Sequence, residues 1–364
     1  LEIDEQNAVA HVEAGIITAD LQAEVEKRGL FYPPDPSSNR HSTIGGNIAC
    51  NAGGPRCLKY GVTGDYVLGL TVVLADGQVL HTGSKVIKDV VGYDLTALFT
   101  GSEGTLGVIT EALLRLTSRP RYARTALVEF ASLADATRTV NAILLAGIVP
   151  AALELMDETA IACIEEATHL GLPLDVAAIL LVETDGSDEG SVLREIDAVA
   201  AICRECGARQ VKVAKDEKER ASLWKARKSV SPSLARKAPN KLGEDITVPR
   251  SAIPEAVRRL KEIGAKYGLP VVIFGHAGDG NLHPNILFDR RDEQQWTKVQ
   301  KMAGEVFNLS LELGGTLSGE HGVGAFKRPY MPLALGPLSI DIQKRIKQAL
   351  DPLNILNPGK VLPD

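Results

Sequence analysis

Gly101-Ser102-Glu103-Gly104-Thr105-Leu106-Gly107-Val108-Ile109-Thr110 sets three glycines within seven residues, just ahead of a β-branched run. It reads as a glycine loop feeding a strand over Thr105 to Leu116. Two more loops share its character. One is Pro34-Asp35-Pro36-Ser37-Ser38 running on to Ser42-Thr43-Ile44-Gly45-Gly46-Asn47; the other is Asn51-Ala52-Gly53-Gly54. Glycine has no Cβ, so its backbone amides can come close to a phosphate or a ring edge. A helix starting near Thr43 would aim its unpaired amides the same way. Thirteen of the 34 glycines lie between Gly45 and Gly107. Together the loops read as a cradle for an anion or a large polar cofactor. The plainer alternative is a loop-rich sheet with many turns. No GxGxxG follows a strand, and Gly101 to Gly107 lacks the Lys-Ser/Thr of a P-loop, which argues against both common nucleotide sites.

The pattern outside the loops is mixed. Ala8 to Ala14 reads as a strand, and Thr18 caps a helix that runs to Arg28 and ends at Gly29. Val67 to Ala75 and Gln78 to Thr82 flank Asp76-Gly77, a hairpin signal. Arg119-Pro120-Arg121 marks a boundary. Beyond it, strands are expected at Ala126 to Phe130, Ala178 to Glu183, Arg209 to Val213 and Val271 to Phe274. Helices are expected at Leu133 to Leu145, Ser191 to Cys206, Glu217 to Val230, Ile253 to Tyr267 and Gln294 to Leu313, with a last helix from Leu338 to Asp351-Pro352. The class is α+β with an antiparallel sheet.

With 364 residues the chain is long enough for about two domains. A net charge of −6 gives no case for nucleic acid or an anionic membrane. No apolar run approaches a membrane span. Five sparse cysteines fit a reducing cytoplasm rather than a disulfide framework. Cys203-Arg204-Glu205-Cys206 has metal-like spacing but no second pair, so two cysteines on a helix is the favoured reading.

Two motifs near the C-terminal end carry the chemistry. Gly275-His276-Ala277-Gly278-Asp279-Gly280-Asn281-Leu282-His283-Pro284 follows an apolar strand, and Ser318-Gly319-Glu320-His321-Gly322 lies beyond it. Gly278-Asp279-Gly280 can reverse the chain and return His283 beside His276. Two imidazoles with the Glu320 carboxylate make a ligand set for zinc, manganese or iron, with positions left open. His321 then stands as a spare base. Hydrogen-bonded histidines lining a metal-free pocket remain the alternative.

The combination of loops resembles the vanillyl-alcohol oxidase (PCMH-type) family of FAD enzymes. The likeness runs through Pro33-Pro34-Asp35-Pro36, Thr43-Ile44-Gly45-Gly46, Asn51-Ala52-Gly53-Gly54, Gly92-Tyr93-Asp94-Leu95 and Gly101 to Thr110. It is greatest to the glycolate oxidase large flavin subunit and to D-lactate and D-2-hydroxyglutarate dehydrogenases. The resemblance implies FAD, held by Pro34, Asp35, Ser37, Ser38, Thr43, Ile44, Gly45, Gly46, Ala52, Gly53, Gly54, Gly61, Glu103, Gly104, Gly107, Val108 and Ile109. It implies a divalent metal on His276, His283 and Glu320, with His321 as base. Trp224-Lys225-Ala226-Arg227 matches the family's Trp-x-x-Arg, which singles out Arg227 for a substrate carboxylate among several nearby cations. Asn281 is expected to orient substrate or flavin. Lys241 is a weaker candidate.

These readings give a partial PCMH-type FAD-binding domain over 1–119, because the family's upstream pyrophosphate loop precedes Leu1. A ferredoxin-like antiparallel-sheet cap domain follows over 120–330, and 331–364 returns to the flavin domain. The implied reaction is metal-assisted oxidation of a small D-2-hydroxy acid, glycolate or D-lactate, with hydride passing to flavin N5. Electrons would leave to a quinone, an iron–sulfur subunit or a flavoprotein. The expected location is the cytoplasm, with any membrane association made through partner subunits. The rivals are a non-catalytic flavin-fold subunit and a metal hydrolase, the latter without an HExxH helix.

Overall fold

The structure is a computed structural model and describes residues 1–363. By packing, the chain divides into two units: Leu1–Arg119 with the segment from Glu320 onward, and Pro120–Gly319.

The first unit holds strands β1 (Glu2–Asp4), β2 (Val9–Glu13), β3 (Leu30–Phe31), β4 (Val67–Val73), β5 (Val79–Gly83), β6 (Val108–Arg115) and β7 (Thr117–Ser118). Its helices are α1 (Thr18–Glu26), α2 (Ile44–Cys50), α3 (Cys57–Tyr60) and α4 (Leu95–Phe99). Five strands form an antiparallel sheet in the order β1-β2-β6-β4-β5, and β3 pairs with β7. Asp76-Gly77 turns the β4–β5 hairpin, with Gly77 at φ +84°. The core gathers Leu21, Val25, Tyr32, Ile44, Ile48, Val72 and Leu114. Thr18 does not cap its helix. Ile17 holds that position, while the buried Thr18 hydroxyl donates to the Ser42 carbonyl at 3.0 Å. A threonine ahead of an apolar stretch looks the same in sequence whether its hydroxyl serves its own helix or a neighbouring loop.

The C-terminal helix Met331–Leu350 begins before the expected Leu338. Gly336 (φ +70°) and Pro337 break it, so the regular run starts where the sequence pattern becomes visible. Asp351 then pins the tail. Its carboxylate pairs with Lys347 and accepts the Ile355 and Leu356 amides at 3.1 and 2.8 Å. Burial alone would push this carboxyl up, but Lys347 and the two amides together hold it below the ordinary 3.8. Because the folded value lies below the unfolded one, this stabilisation is present above the unfolded value and is lost as pH falls through the folded one. Asp351→Asn is therefore expected to cost about 1–3 kcal/mol near neutrality. It should also flatten the acid limb of melting temperature against pH, which thermal unfolding across pH 2–7 would measure.

The second unit holds strands β8 (Tyr122–Phe130), β9 (Ala152–Asp157), β10 (Ala178–Gly186), β11 (Gln210–Val213), β12 (Asn240–Gly243), β13 (Ile246–Thr247), β14 (Val271–His276) and β15 (Asn281–Phe288). Its helices are α5 (Leu133–Leu145), α6 (Glu158–Thr168), α7 (Glu189–Glu205), α8 (Glu217–Lys228), α9 (Val230–Lys237), α10 (Ile253–Tyr267) and α11 (Glu293–Glu312). The antiparallel sheet runs β11-β8-β10-β9-β14-β15-β12, with β13 also on β15. Helix α5 connects β8 to β9 across β10, and α7 connects β10 to β11 across β8. These two split crossovers make the ferredoxin-like pattern. The apolar stripe Ile253, Ala256, Val257, Leu260 and Ile263 has helical spacing and is buried, and Gly268 closes α10 in the left-handed region. Cys203 lies inside α7, where burial raises its thiol to about 12, so the CxxC spacing is helical packing. Among the described residues, no helix is long and apolar enough to cross a membrane.

Candidate active site

In the second unit the site is built on the β14–β15 hairpin. Gly280 turns it at φ +86°, tight against the Val248 carbonyl where no Cβ would fit. The turn pairs His276 with Asn281 and Phe274 with His283 across the ladder. The two imidazoles end 5.1 Å apart at 87°. Both are buried, at 3% and 6% exposure. The reversal expected from Gly278-Asp279-Gly280 thus brings the two histidines side by side.

Strand β9 supplies a residue that no local sequence motif marks. Glu154 lies directly opposite His276 in the β14–β9 register and is fully buried. Its Oε1 is 2.7 Å from His276 Nδ1. Its Oε2 accepts from Arg227 Nε at 2.7 Å and lies 2.6 Å from Nη2 as an ion pair. Burial alone would raise this carboxyl, but His276 and Arg227 outweigh it and hold it below the usual carboxylate range. Arg227 comes from the last turn of α8 and is 5% exposed, with its guanidinium 5.1 Å from the Phe274 ring centre. Lys218, Lys225 and Lys228 on the same helix are exposed. Burial therefore separates Arg227 from the basic face around it. Lys241 instead donates to the Ser231 carbonyl at 3.0 Å, and burial lowers its pKa.

Asp245, fully buried just before β13, organises the other end. Its Oδ1 accepts from Asn281 Nδ2 at 2.6 Å, and its Oδ2 accepts from Ser318 Oγ and the Gly319 amide at 2.7 and 2.9 Å. His283 Nδ1 lies 3.9 Å from the same carboxylate. With Asn281 Nδ2 committed to Asp245, its buried Oδ1 is left as an acceptor with no protein partner among the described residues.

In the first unit, Glu320 and His321 follow directly on Gly319. His321 Nε2 is 3.5 Å from Glu320 Oε1, and His321 is 55% exposed against 14% for Glu320. A Cβ on Gly53 would lie 2.8 Å from Glu320 Oε2, so this glycine leaves room for that carboxylate.

The glycine loops divide into two groups. A Cβ on Gly45 would meet Ala14 at 2.6 Å, and one on Gly54 would meet the Asp35 carbonyl at 2.7 Å. Gly61 is closed by Asp65 and Gly107 by Val72. These close approaches are to the chain itself. Pro34 and Ile44 are buried, and the Ala52 carbonyl accepts from Thr63 at 2.7 Å. Asp35 faces Arg56 at 3.6 Å. The Glu103 carboxylate accepts the Val323 and Gly324 amides at 2.6 and 2.9 Å, which ties the C-terminal segment into this unit from Glu320 rather than 331. Other positions stay open. Gly104 (φ +69°) has space beyond its backbone; Ser37, Ser38, Gly46 and Val108 are exposed, and Ile109 is half-buried. Thr43 caps α2 through the Gly46 amide at 3.1 Å. Backbone left open at Gly104 is what a large polar cofactor such as FAD needs in order to approach closely.

The donor set also suits a divalent metal. With Glu154 on its Nδ1, His276 can present Nε2, as histidine ligands backed by a carboxylate do.

Comparison with known proteins gives two family matches. The FAD linked oxidases C-terminal domain family matches residues 119–361, and the FAD binding domain family matches residues 1–83. The chain is 49% identical over 361 residues to glycolate oxidase subunit GlcD of Bacillus subtilis, covering 99% of the chain and 77% of that protein. It is 40% identical to the GlcD subunit of Escherichia coli K12, covering 100% and 72%. It is 35% identical to a D-lactate dehydrogenase of Anaerostipes hadrus, covering 99% and 77%. Among solved structures, p-cresol methylhydroxylase with bound substrate superposes with a TM-score of 0.81 at 17% identity, covering 100% and 78%, a likeness of fold.

Proposed function

The chain belongs to the FAD-linked oxidase family, and on that premise we propose that it oxidises a small D-2-hydroxy acid, glycolate or D-lactate, to the 2-oxo acid. The observation that carries this reading is the buried Arg227 beside two buried imidazoles on one sheet. A buried guanidinium suits the substrate carboxylate, and Asn281 Oδ1 is an acceptor for the hydroxyl or a neighbouring donor. His276 and His283, with Glu320 from the adjoining sequence motif, would hold a divalent metal. When bound, that ion lowers the pKa of the substrate hydroxyl and fixes the acid in place. His321 takes the hydroxyl proton. The glycine loops at Thr43 to Gly46, Ala52 to Gly54 and Glu103 to Ile109 would hold FAD, which when bound would supply the two-electron acceptor for the C–H bond.

The electrons pass on to a quinone, an iron–sulfur subunit or a flavoprotein. Relatives described as oxidase subunits support a partner of this kind. In this reading the protein works in the cytoplasm, which suits five cysteines present as free thiols. Anaerobic addition of glycolate, D-lactate and L-lactate to the FAD-loaded full-length protein tests the substrate class. The visible flavin band is expected to bleach with glycolate or D-lactate and not with L-lactate. A flavin that none of these acids reduces would reject the assignment.

A further inference from the structure

Glu154 stands on a fully buried strand and uses its two oxygens for different partners. Oε1 meets His276 Nδ1 at 2.7 Å; Oε2 accepts from Arg227 Nε at 2.7 Å and faces Nη2 at 2.6 Å as an ion pair. A carboxylate only accepts, so His276 carries a proton on Nδ1, and in the neutral ring the lone pair then sits on Nε2. On Arg227, Nε and Nη2 form the side edge of the guanidinium. With that edge taken, the end edge, Nη1 with the second hydrogen of Nη2, is left for another anion. Phe274 lies against the guanidinium, 5.1 Å from its centre, and limits how it can turn. One carboxylate therefore sets the tautomer of an imidazole and the orientation of a cation together.

We propose that Glu154 is a positioning residue for both halves of the site: it selects the Arg227 edge that receives the substrate carboxylate and the His276 nitrogen that receives the metal. This rests on the site reading above. The competing role is purely structural, a buried ion pair that holds β9, β14 and α8 together.

The test uses the full-length FAD-loaded enzyme and Glu154→Gln, which keeps size but leaves one terminal atom able to accept. Either Arg227 or His276 then faces an NH2 group. Metal-stripped protein titrated calorimetrically with Mn2+ or Zn2+ is expected to bind about 10- to 100-fold more weakly than the parent. At saturating metal, KM for the acid is expected to rise about 10-fold or more while kcat changes far less, the pattern of lost uniform binding. A purely structural role would lower the melting temperature and leave both readouts in place. Parent-like metal affinity and KM in Glu154→Gln would therefore overturn the proposal. If that variant does not retain flavin, Glu154→Asp keeps the charge but is one methylene too short to span both partners. The same two readouts then decide in the same way. A parent enzyme that binds no metal would instead overturn the site reading and the His276 half, with KM alone judging the Arg227 half.

Discussion

Arg227→Met is expected to reduce kcat/KM for the acid by about 30- to 5,000-fold, corresponding to about 2–5 kcal/mol for a truncated buried charge pair. The loss should appear mainly in KM, because the guanidinium meets the carboxylate in ground state and transition state alike. The same change also leaves Glu154, at 0% exposure, with His276 as its remaining partner in the network described. Breaking a buried pair from one side costs about 3–5 kcal/mol of stability. Melting curves and steady-state kinetics on one preparation separate the two effects. Arg227→Lys should fall between parent and methionine. Its ammonium keeps the charge but cannot offer Glu154 and the substrate two edges of one plane. A stability loss with an unchanged KM would assign Arg227 to the scaffold alone.

His321→Ala should behave in the opposite way. His321 is 55% exposed, so its removal should change stability by no more than about 0.5 kcal/mol. As the base for the hydroxyl proton it should carry about 10²- to 10⁴-fold in kcat. Metal affinity should stay within a few-fold of the parent, since Glu320 and not His321 is assigned as ligand. An alanine variant that turns over at the parental rate would remove His321 from the mechanism.

Much of this site could be read from local sequence pattern. The β14–β15 hairpin was legible because an apolar run ends in Gly-Asp-Gly, and only a reversal there brings His276 and His283 to one place. Helices α5 and α10 appeared at their observed bounds because their apolar spacing and end residues agree. Strand β9 did not appear. Ala152–Asp157 is buried along its whole length between β10 and β14, so it shows no alternation, and Glu154 and Asp157 make it look polar. Its meaning comes from partners 73 and 122 residues away in sequence. Asp245 was hidden for the same reason: it serves Asn281 and Gly319, both remote in sequence.

The glycine loops teach a second lesson. Their density correctly signalled close approach, but sequence does not say what does the approaching. Gly45 and Gly54 are small because Ala14 and the Asp35 backbone press on them, whereas Gly104 opens onto free space. At Glu103 the carboxylate receives two backbone amides of the C-terminal segment, a partner remote in sequence that local pattern does not reveal. The family resemblance named the loops as a unit, and the structure separates glycines pressed by their own packing from those with open space beyond the backbone.

The central claim is that the paired histidines serve a metal in a flavin-dependent oxidation. Metal analysis of the full-length FAD-loaded enzyme, beside its His276→Ala and His283→Ala variants and alongside anaerobic flavin reduction by the acid, tests it most directly. The account predicts about one divalent ion per chain in the parent, its loss from both variants, and flavin reduction that fails on chelation and returns when the ion is restored. A metal-free parent that reduces its flavin at full rate would contradict it.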